Sequence, residues 1–326
     1  MANTDVNPST DEHIMRDLSH PRTFFEYARL FFSGFAMGAA DVVPGVSGGT
    51  MAFILGVYET LIDAIKSFNL RAAQLALKLQ FDELFNKHIP IRFLLALGLG
   101  ILTAVFFLAS LLEGALESSP TYVFAFFAGL ILASIIAVGA KVEWSAGAFI
   151  ALIIGAVAAF IIVGLPSLGD QLGHTFPVLF VSGMIAICAM ILPGISGSFI
   201  LLILGQYQFI LGAVKDRDIV SILAVGLGAV IGIVAFSRVL SWLLKNYENV
   251  TIAVLVGFMA GSLRLIVHRM FNAVTEVDGQ EITSAIQVDG TMLVISIVLI
   301  VLGFILVTVI DHFQSRSNPV MRLFGR

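Results

Sequence analysis

A helix-breaking motif occurs twice in this chain. The segment PGVSGG at 44–49 returns as PGISGS at 193–198, and a gapless alignment of residues 33–66 with 182–215 gives thirteen identities in 34 positions. Proline cannot continue a helix and glycine weakens one, so each copy interrupts an apolar segment near its middle. A repeated break of this kind is typical of transporters, in which discontinuous helices from two internal repeats form the binding site.

The composition places both breaks inside a membrane protein. Hydrophobic residues make up 58% of the 326 residues and charged residues only 12%, and the mean hydropathy is +1.00. Soluble domains are closer to half apolar and a quarter charged, so the sequence predicts an all-α polytopic membrane protein. The single cysteine, Cys188, excludes an internal disulfide. Because no His or carboxylate pair stands at metal-ligand spacing, we expect neither a metal nor a cofactor.

Six apolar stretches are long enough, at about 20 residues, to cross a bilayer. They are residues 92–112, 120–140, 145–166, 219–244, 250–268 and 291–311. The motif-bearing segments, 24–66 and 176–214, differ because each break leaves two arms of about 15 residues, too short to span singly. We therefore predict two re-entrant helical hairpins, with a tilted pair of spans as the alternative for each.

The basic residues predict the orientation. Arginine and lysine are enriched on the cytoplasmic side of membrane proteins, and both flanks of the first hairpin are basic, so this hairpin should enter and leave on that side. Three spans then carry the chain outside, and the second hairpin enters from the opposite face. With both termini cytoplasmic, thirteen of the eighteen Lys and Arg residues fall inside and four outside. The remaining one, Arg238, falls within a span.

The chain is thus expected to contain two inverted repeats, each a re-entrant hairpin followed by three transmembrane helices. Repeat 1 covers residues 23–168 and repeat 2 covers 169–313. A polar tail (1–22), without the pattern of a signal peptide, precedes them, and a basic cytoplasmic tail (314–326) follows. The triplet Gly-Leu-Gly at 98–100 in repeat 1 matches a second Gly-Leu-Gly in repeat 2, which supports the duplication.

Each repeat also contains one segment without a predicted span. In repeat 1 the insertion 70–88 has its apolar residues on one helical face, which predicts an amphipathic helix lying on the cytoplasmic interface. In repeat 2 the polar stretch 270–290 predicts an outer loop. Neither segment suggests chemistry by itself.

The repeated motif predicts an anion site. The helix that starts after each break has unpaired backbone N–H groups and a partial positive charge at its N-terminus, which suits a phosphate or carboxylate. Glycine allows a ligand to approach, and serine or threonine adds hydroxyl groups. The alternative is a pair of kinked helices whose glycines only permit close packing. The predicted phosphate-binding residues are Gly45, Ser47, Gly48, Gly49 and Thr50 in the first copy and Gly194, Ser196, Gly197 and Ser198 in the second.

Four charged residues extend this candidate site. Arg238 and Arg264 fall in predicted spans, where an arginine either marks a substrate path or extends to the headgroups. Asp41 precedes the first break, whereas its aligned residue in the second copy is Met190. Asp41 is a candidate to bind a coupling H⁺ or Na⁺, or else to brace the break. Glu59 is a second and weaker coupling candidate.

The segment ADVVPGVSGGTMAFILGVYETLIDAI resembles the bacterial DUF368 membrane family, and the likeness covers nearly the whole chain. The resemblance implies return of undecaprenyl phosphate from the outer to the inner leaflet of the cytoplasmic membrane, for reuse in cell-envelope synthesis. It implies a polyprenyl-phosphate lipid and membrane lipids as partners and no nucleic acid; the oligomeric state stays open. The family motif maps to Asp41, Pro44, Gly45 and residues 47–50, and the second copy departs from it at Met190 and Phe199.

An enzyme is the main competing hypothesis. The motif is also similar to the PG-x-S-R-S-x-x-T segment of the undecaprenyl-pyrophosphate phosphatase family, which implies the same inverted hairpins. Gly48 and Gly197 stand in place of its arginine, and the E-x-x-x-E pattern of those enzymes is missing. Without these groups, no general acid or metal support for hydrolysis is evident, so we expect a transporter and no catalytic residues. The sequence is also compatible with a transporter of another small anion and, less readily, with a structural scaffold.

Overall fold

The computed structural model describes residues 19–42, 47–277, 280–315 and 320. Pro44 and Gly45 of the first motif lie outside the described residues, as do nearly all of both predicted tails. The described chain is all-α apart from one small hairpin. Its helices are α1 (Phe24–Val42), α2 (Gly48–Ile54), α3 (Tyr58–Lys66), α4 (Leu70–Leu77), α5 (Phe81–Glu83), α6 (Ile91–Ser118), α7 (Pro120–Gly139), α8 (Ala146–Ile162), α9 (Phe176–Ile191), α10 (Gly197–Ile203), α11 (Tyr207–Asp216), α12 (Ile219–Asn246), α13 (Glu248–Phe271) and α14 (Gly290–Ser315).

Several of these helices are long and apolar enough to cross a membrane. Within the described ranges, α6, α7, α12, α13 and α14 meet this condition, and the number rises from five to as many as seven if each bent helix pair counts as one span. The predicted span 145–166 is the shorter helix α8, which has 17 residues. It ends at Ile162 because the following Gly164 and Pro166 disfavour helical conformation. The chain is a multi-pass membrane protein.

Each motif-bearing segment contains three helices rather than the two predicted arms. A long helix, α1 or α9, precedes the break, a seven-residue helix follows it, and a third helix completes the segment. The second and third helices are bent by 116° in the first segment and by 106° in the other. Gly56 and Gly205 make these bends with φ of +66° and +69°, a conformation that other residues rarely adopt.

The first segment returns to the end of the fold where it began. Helices α1 and α6 pack closely, with Gly34 against the backbone of Leu97 and Gly100 against the backbone of Phe31. A cleft lined by His20, Arg22 and residues 90–92, among others, places the start of α1 beside the start of α6. The chain between the starts of α1 and α6 therefore leaves this end of the fold and returns to it.

The same packing recurs in the second half. Helices α9 and α12 pack with Gly183 against Val225 and Gly228 against Phe180, which are the aligned counterparts of the contacts between α1 and α6. At these crossings a Cβ atom would overlap a backbone carbonyl, so the helices approach as closely as glycine allows. The duplication detected in the sequence is therefore also visible in the packing.

The remaining spans join the two halves. Helix α7 packs against α14 and helix α8 against α13, while α7 and α13 contact each other. Here too the contacts are duplicated. Gly129 packs against the backbone of Ile300, and Gly257, the residue aligned with Gly129, packs against the backbone of Leu152. Each half thus places its second span against the third span of the other half. The inversion of the halves across a membrane stays a prediction.

The two segments without predicted spans differ in detail from the sequence analysis. The insertion 70–88 is not one amphipathic helix, because Leu79 adopts a left-handed conformation (φ 56°) between α4 and α5, and a π-helical turn, Leu84–His88, follows. Residues 270–290 contain an antiparallel hairpin of β1 (Asn272–Val277) and β2 (Gln280–Ala285) in place of a plain loop.

The glycine crossings give a matched test of the packing. Replacing Gly100 by leucine should lower the free energy of unfolding by about 1–3 kcal/mol, since the new side chain must push α1 away. Leucine at Gly98, where an added Cβ would have no neighbour within 4 Å, should change it by less than about 0.5 kcal/mol. Thermal unfolding of both variants in the same detergent measures the difference, and equal Tm values would contradict the packing described for α1 and α6.

Candidate functional site

The helix that follows the first break, α2, has hydrogen-bond partners for its first N–H groups. One carboxylate oxygen of Asp41 accepts a hydrogen bond of 2.7 Å from the Gly48 N–H. The Ser47 hydroxyl accepts one of 3.1 Å from the Gly49 N–H, and the Ser47 carbonyl accepts one of 3.0 Å from the Thr50 N–H. A Cβ atom at Gly48 would overlap the Asp41 carboxylate, so glycine is what lets the carboxylate reach the helix end. The first-turn donors of α2 are therefore occupied by the protein itself.

The helix that follows the second break, α10, is open in the sense that its first N–H groups are not capped. Ser196 makes no capping hydrogen bond; its hydroxyl instead lies 2.7 Å from that of Ser198. Within the described ranges, the N–H groups of Gly197, Ser198 and Phe199 have no hydrogen-bond acceptor. The residue aligned with Asp41 is Met190, whose thioether chain cannot replace a carboxylate. The two helix ends are thus similar in backbone and unequal in chemistry.

The two breaks contact each other directly. The Thr50 hydroxyl accepts a hydrogen bond of 3.0 Å from the Gly194 N–H, and the Ser47 hydroxyl donates one of 3.3 Å to the Leu192 carbonyl. The Tyr58 hydroxyl donates one of 3.1 Å to the Ile191 carbonyl. Each of these bonds joins the first half of the chain to the second. The structure therefore brings together the two sets of predicted motif residues.

Close backbone approach explains the glycines at this junction. A Cβ atom at Gly49 would come within 2.7 Å of the Ile191 carbonyl oxygen. Gly194 has a φ of +90°, and a Cβ atom there would come within 2.8 Å of the α13 backbone at Met259. Such contacts require a displacement of backbone, so any larger residue would separate the two breaks or push them away from α13.

The predicted arginines lie elsewhere on the fold. The Arg264 guanidinium donates a hydrogen bond of 2.7 Å to the Phe160 carbonyl on α8 and lies 4.3 Å from the centre of the Phe160 ring. Arg238 is exposed on α12. In the part of the chain that the structure describes, no hydrogen bond or ion pair links either arginine to a motif residue. Arg264 is nevertheless only five residues along α13 from Met259, or about 7 Å.

Glu59 also lies away from the junction, in a polar cavity of about 210 Å³ between α3, α12 and the start of α13. There the Ser241 hydroxyl donates a hydrogen bond of 2.9 Å to Asp63 and accepts one of 2.9 Å from the Lys66 ammonium group. The Lys245 ammonium group lies 3.4 Å from the second oxygen of Asp63. We call these four residues, Asp63, Lys66, Ser241 and Lys245, the α3–α12 latch. It ties the end of the first segment to the second half.

Sequence reasoning missed several buried polar residues. Tyr58 bonds to the second break, and its identity with Tyr207 in the aligned copy was the signal that could have found it. Gln206 is fully buried and its amide donates hydrogen bonds of 3.1 Å to the carbonyls of Gly173 and Leu204, which closes the bend between α10 and α11. Asp311 on α14 is only 3% exposed. Among the described residues, no three His, Cys, Asp or Glu side chains gather as ligands for a metal ion.

Comparisons with known proteins agree with this duplicated architecture. The model of a family described as undecaprenyl phosphate translocase-like matches residues 37–285, which include both breaks. A polyprenyl-phosphate transporter of Vibrio cholerae is 44% identical over 238 residues, which cover 73% of this chain and 76% of that protein. A polyprenyl-phosphate transporter of Staphylococcus aureus is 30% identical over 248 residues, covering 71% of this chain and 82% of that protein.

No solved structure matches the chain. The two transporters and the family match confirm the resemblance that the first motif indicated. The matched region begins just before Asp41 and continues beyond the second break. The chain therefore belongs to the undecaprenyl phosphate translocase-like family.

Proposed function

We propose that this protein transports polyprenyl phosphate, and specifically returns undecaprenyl phosphate from the outer to the inner leaflet of the bacterial cytoplasmic membrane. The lipid would then be reused in cell-envelope synthesis. The observation that carries the proposal is the junction of the two breaks, where open N–H groups and hydroxyls at the start of α10 lie beside the capped start of α2. The family and its transporter relatives support the choice of substrate.

In this proposal the phosphate binds at the open end of α10. The N–H groups of Gly197 and Ser198 and the hydroxyls of Ser196 and Ser198 are donors without a helix partner, and a phosphate has enough oxygens to accept from all of them. Gly194, three residues before α10, lets this break pack against the α13 backbone at Met259 and against Thr50. The polyprenyl tail would stay in the bilayer, so that only the phosphate needs a polar path.

The first break supplies the opposite wall of this site. Ser47 and Thr50 hold the second break in position through their bonds to Leu192 and Gly194. Gly49 allows the close approach that these bonds require, and Gly48 leaves room for the Asp41 carboxylate at the start of α2. Gly45, outside the described residues, stays a proposed phosphate-binding residue on its motif position alone. We propose Arg264 and Arg238 as the positive groups that the phosphate meets on entering or leaving, because both stand on helices of the second half.

Asp41 is the proposed coupling residue. Its carboxylate occupies the end of α2 that would otherwise attract the phosphate, and we propose that its negative charge repels a phosphate bound at the start of α10. Binding of H⁺ or Na⁺ by Asp41 would remove this repulsion and so link phosphate binding to the cation. Glu59, in the cavity beside the latch, is the alternative coupling residue.

A difference between the two halves supports alternating access. Helix α3 packs against α12 through the α3–α12 latch, whereas the aligned helices α11 and α6, both within the described residues, do not pack in this way. In the predicted topology the latched end is cytoplasmic. The structure would then be an outward-facing arrangement, and the inward-facing one would open the latch and bring α11 against α6.

The phosphatase hypothesis has less support. An arginine in that family's motif would replace Gly48 or Gly197. A Cβ atom at Gly48 would overlap Asp41, and one at Gly197 would come within 2.8 Å of the Ala186 carbonyl oxygen. This chain therefore has no space for such a side chain without moving α1 or α9, which favours transport without hydrolysis.

Translocation in proteoliposomes tests the proposed function. Labelled undecaprenyl phosphate should exchange between leaflets faster with the protein than without it. Replacing Ser196 and Ser198 by alanine should slow this exchange roughly tenfold or more, since each hydrogen bond to a charged group contributes about 1.5–3 kcal/mol. Ser118→Ala, which removes an exposed hydroxyl at the end of α6, should leave the rate unchanged.

Each contrary outcome has a defined meaning. Exchange no faster than in empty liposomes would refute the transporter, and phosphate release from undecaprenyl pyrophosphate would favour the enzyme. Equal uptake of inorganic phosphate would favour a small-anion transporter.

For Asp41, the asparagine variant keeps an oxygen that can accept from Gly48 and loses only the charge. If Asp41→Asn keeps the wild-type response to pH and sodium gradients, Asp41 is a brace and not the coupling residue.

Distances between spin labels test alternating access. In a Cys188→Ser background, we would label Thr60 on α3 with Trp242 on α12, and Leu111 on α6 with Val214 on α11. Undecaprenyl phosphate in nanodiscs should lengthen the first distance and shorten the second in the same fraction of molecules, and the neutral polyprenol should do neither. Two distances that change independently, or not at all, would contradict the proposed cycle.

A further inference from the structure

We propose that the structure contains a second lipid site, which binds the headgroup of an anionic phospholipid of the surrounding bilayer. The site is the cleft between the chain just before α1 and the start of α6, which we call the basic cleft. It has a volume of about 320 Å³ and is lined by His20, Arg22, Phe85, Asn86, Pro90, Ile91 and Arg92. It is independent of the proposed transport function.

The charges in the basic cleft are accessible to a ligand. Within the described part of the chain, neither Arg22 nor Arg92 has an ion-pair partner for its guanidinium group. Glu26 is the acidic residue that interacts electrostatically with Arg22. Its carboxylate is already engaged, since it accepts hydrogen bonds of 2.6 Å from the Arg22 N–H and 3.1 Å from the Thr23 N–H. The lining of the cleft therefore contains two arginines and no acidic residue.

The surface around the basic cleft is apolar and exposed. Phe24 and Phe25, at the start of α1 and close in sequence to Arg22, are 80% and 83% exposed. Phe85, in the wall of the cleft, stacks on Phe81 with an interplanar angle of 8°. Large exposed side chains of this kind beside basic groups are typical of segments that lie in the membrane interface. A lipid bound there could place its phosphate on the arginines and its acyl chains along the phenylalanines.

The basic cleft is far from the junction of the two breaks. Arg22 lies just before α1 and Asp41 lies near the other end of that helix, which from Phe24 to Asp41 is about 26 Å long at 1.5 Å per residue. One phosphate cannot occupy both places. The second site therefore takes a lipid that remains at the interface, and charge favours an anionic headgroup over a zwitterionic one, since basic pockets at the cytoplasmic end of membrane helices select acidic headgroups.

Lipid retention by the full-length protein tests the proposal. The protein in nanodiscs of phosphatidylcholine with a minority of phosphatidylglycerol should retain one phosphatidylglycerol after gentle release from the disc, as seen by native mass spectrometry. Arg92→Gln or Arg22→Gln should each weaken this retention roughly fivefold, and the double variant about 25-fold, because each arginine near an anionic surface contributes about 1 kcal/mol. Lys78→Gln, which removes an exposed charge of the neighbouring segment outside the cleft, should retain the lipid as the wild type does.

Three results would overturn the assignment. The first is equal retention of phosphatidylcholine and phosphatidylglycerol by the wild type. The second is wild-type retention by the Arg22→Gln/Arg92→Gln variant, and the single variants provide the answer if the double variant does not fold. The third is displacement of phosphatidylglycerol by an equimolar amount of undecaprenyl phosphate in the wild type but not in Arg92→Gln, which would make the basic cleft a substrate site instead.

Discussion

The hydrogen bonds between the two breaks are the interaction on which the rest of the structure depends. In a bilayer, backbone groups freed by a helix break must find partners within the protein. Here side chains of the first break supply partners for backbone groups of the second, because the Thr50 hydroxyl accepts from the Gly194 N–H and the Ser47 hydroxyl donates to the Leu192 carbonyl. Without the first break, these two backbone groups would lose those partners.

The two halves repeat the same helix packing but differ in the residue that precedes each break. The backbone contacts of α1 with α6 are repeated by α9 with α12, yet the residue before the break is Asp41 in one copy and Met190 in the other. The carboxylate caps α2, and the thioether leaves α10 open. A duplicated scaffold thus presents one helix end whose N–H groups are bonded and one whose first N–H groups have no acceptor among the described residues. This difference is the basis of the proposed phosphate site and of the proposed coupling.

The sequence was informative where structure is determined locally. A Pro-Gly pair followed by small residues disfavours a continuous helix through its own chemistry, so both breaks could be predicted. The duplicated glycines at 98–100 and 226–228 anticipated the repeated crossings. The third helix of each segment was also within reach, since Gly56 and Gly205 are identical in the alignment and both make the bend. Leu79 gave no comparable signal, because a left-handed leucine is set by its surroundings. Contacts between residues far apart in the chain could not be predicted from the sequence. The hydrogen bond from Arg264 to Phe160 spans 104 positions and that from Ser241 to Asp63 spans 178. Nothing in the local sequence pattern shows that these helices meet.

The position of the substrate phosphate is the most direct test of this account. Solid-state NMR can measure distances from the ³¹P nucleus of undecaprenyl phosphate to ¹⁵N nuclei in the protein backbone. The phosphorus should lie within about 4.5 Å of the amide nitrogens of Gly197 and Ser198, as hydrogen bonds of about 2.9 Å to phosphate oxygens require. Its distance to the nitrogen of Gly48, whose N–H is bonded to Asp41, should be longer. A phosphate close to Gly48 and distant from Gly197 would contradict the account.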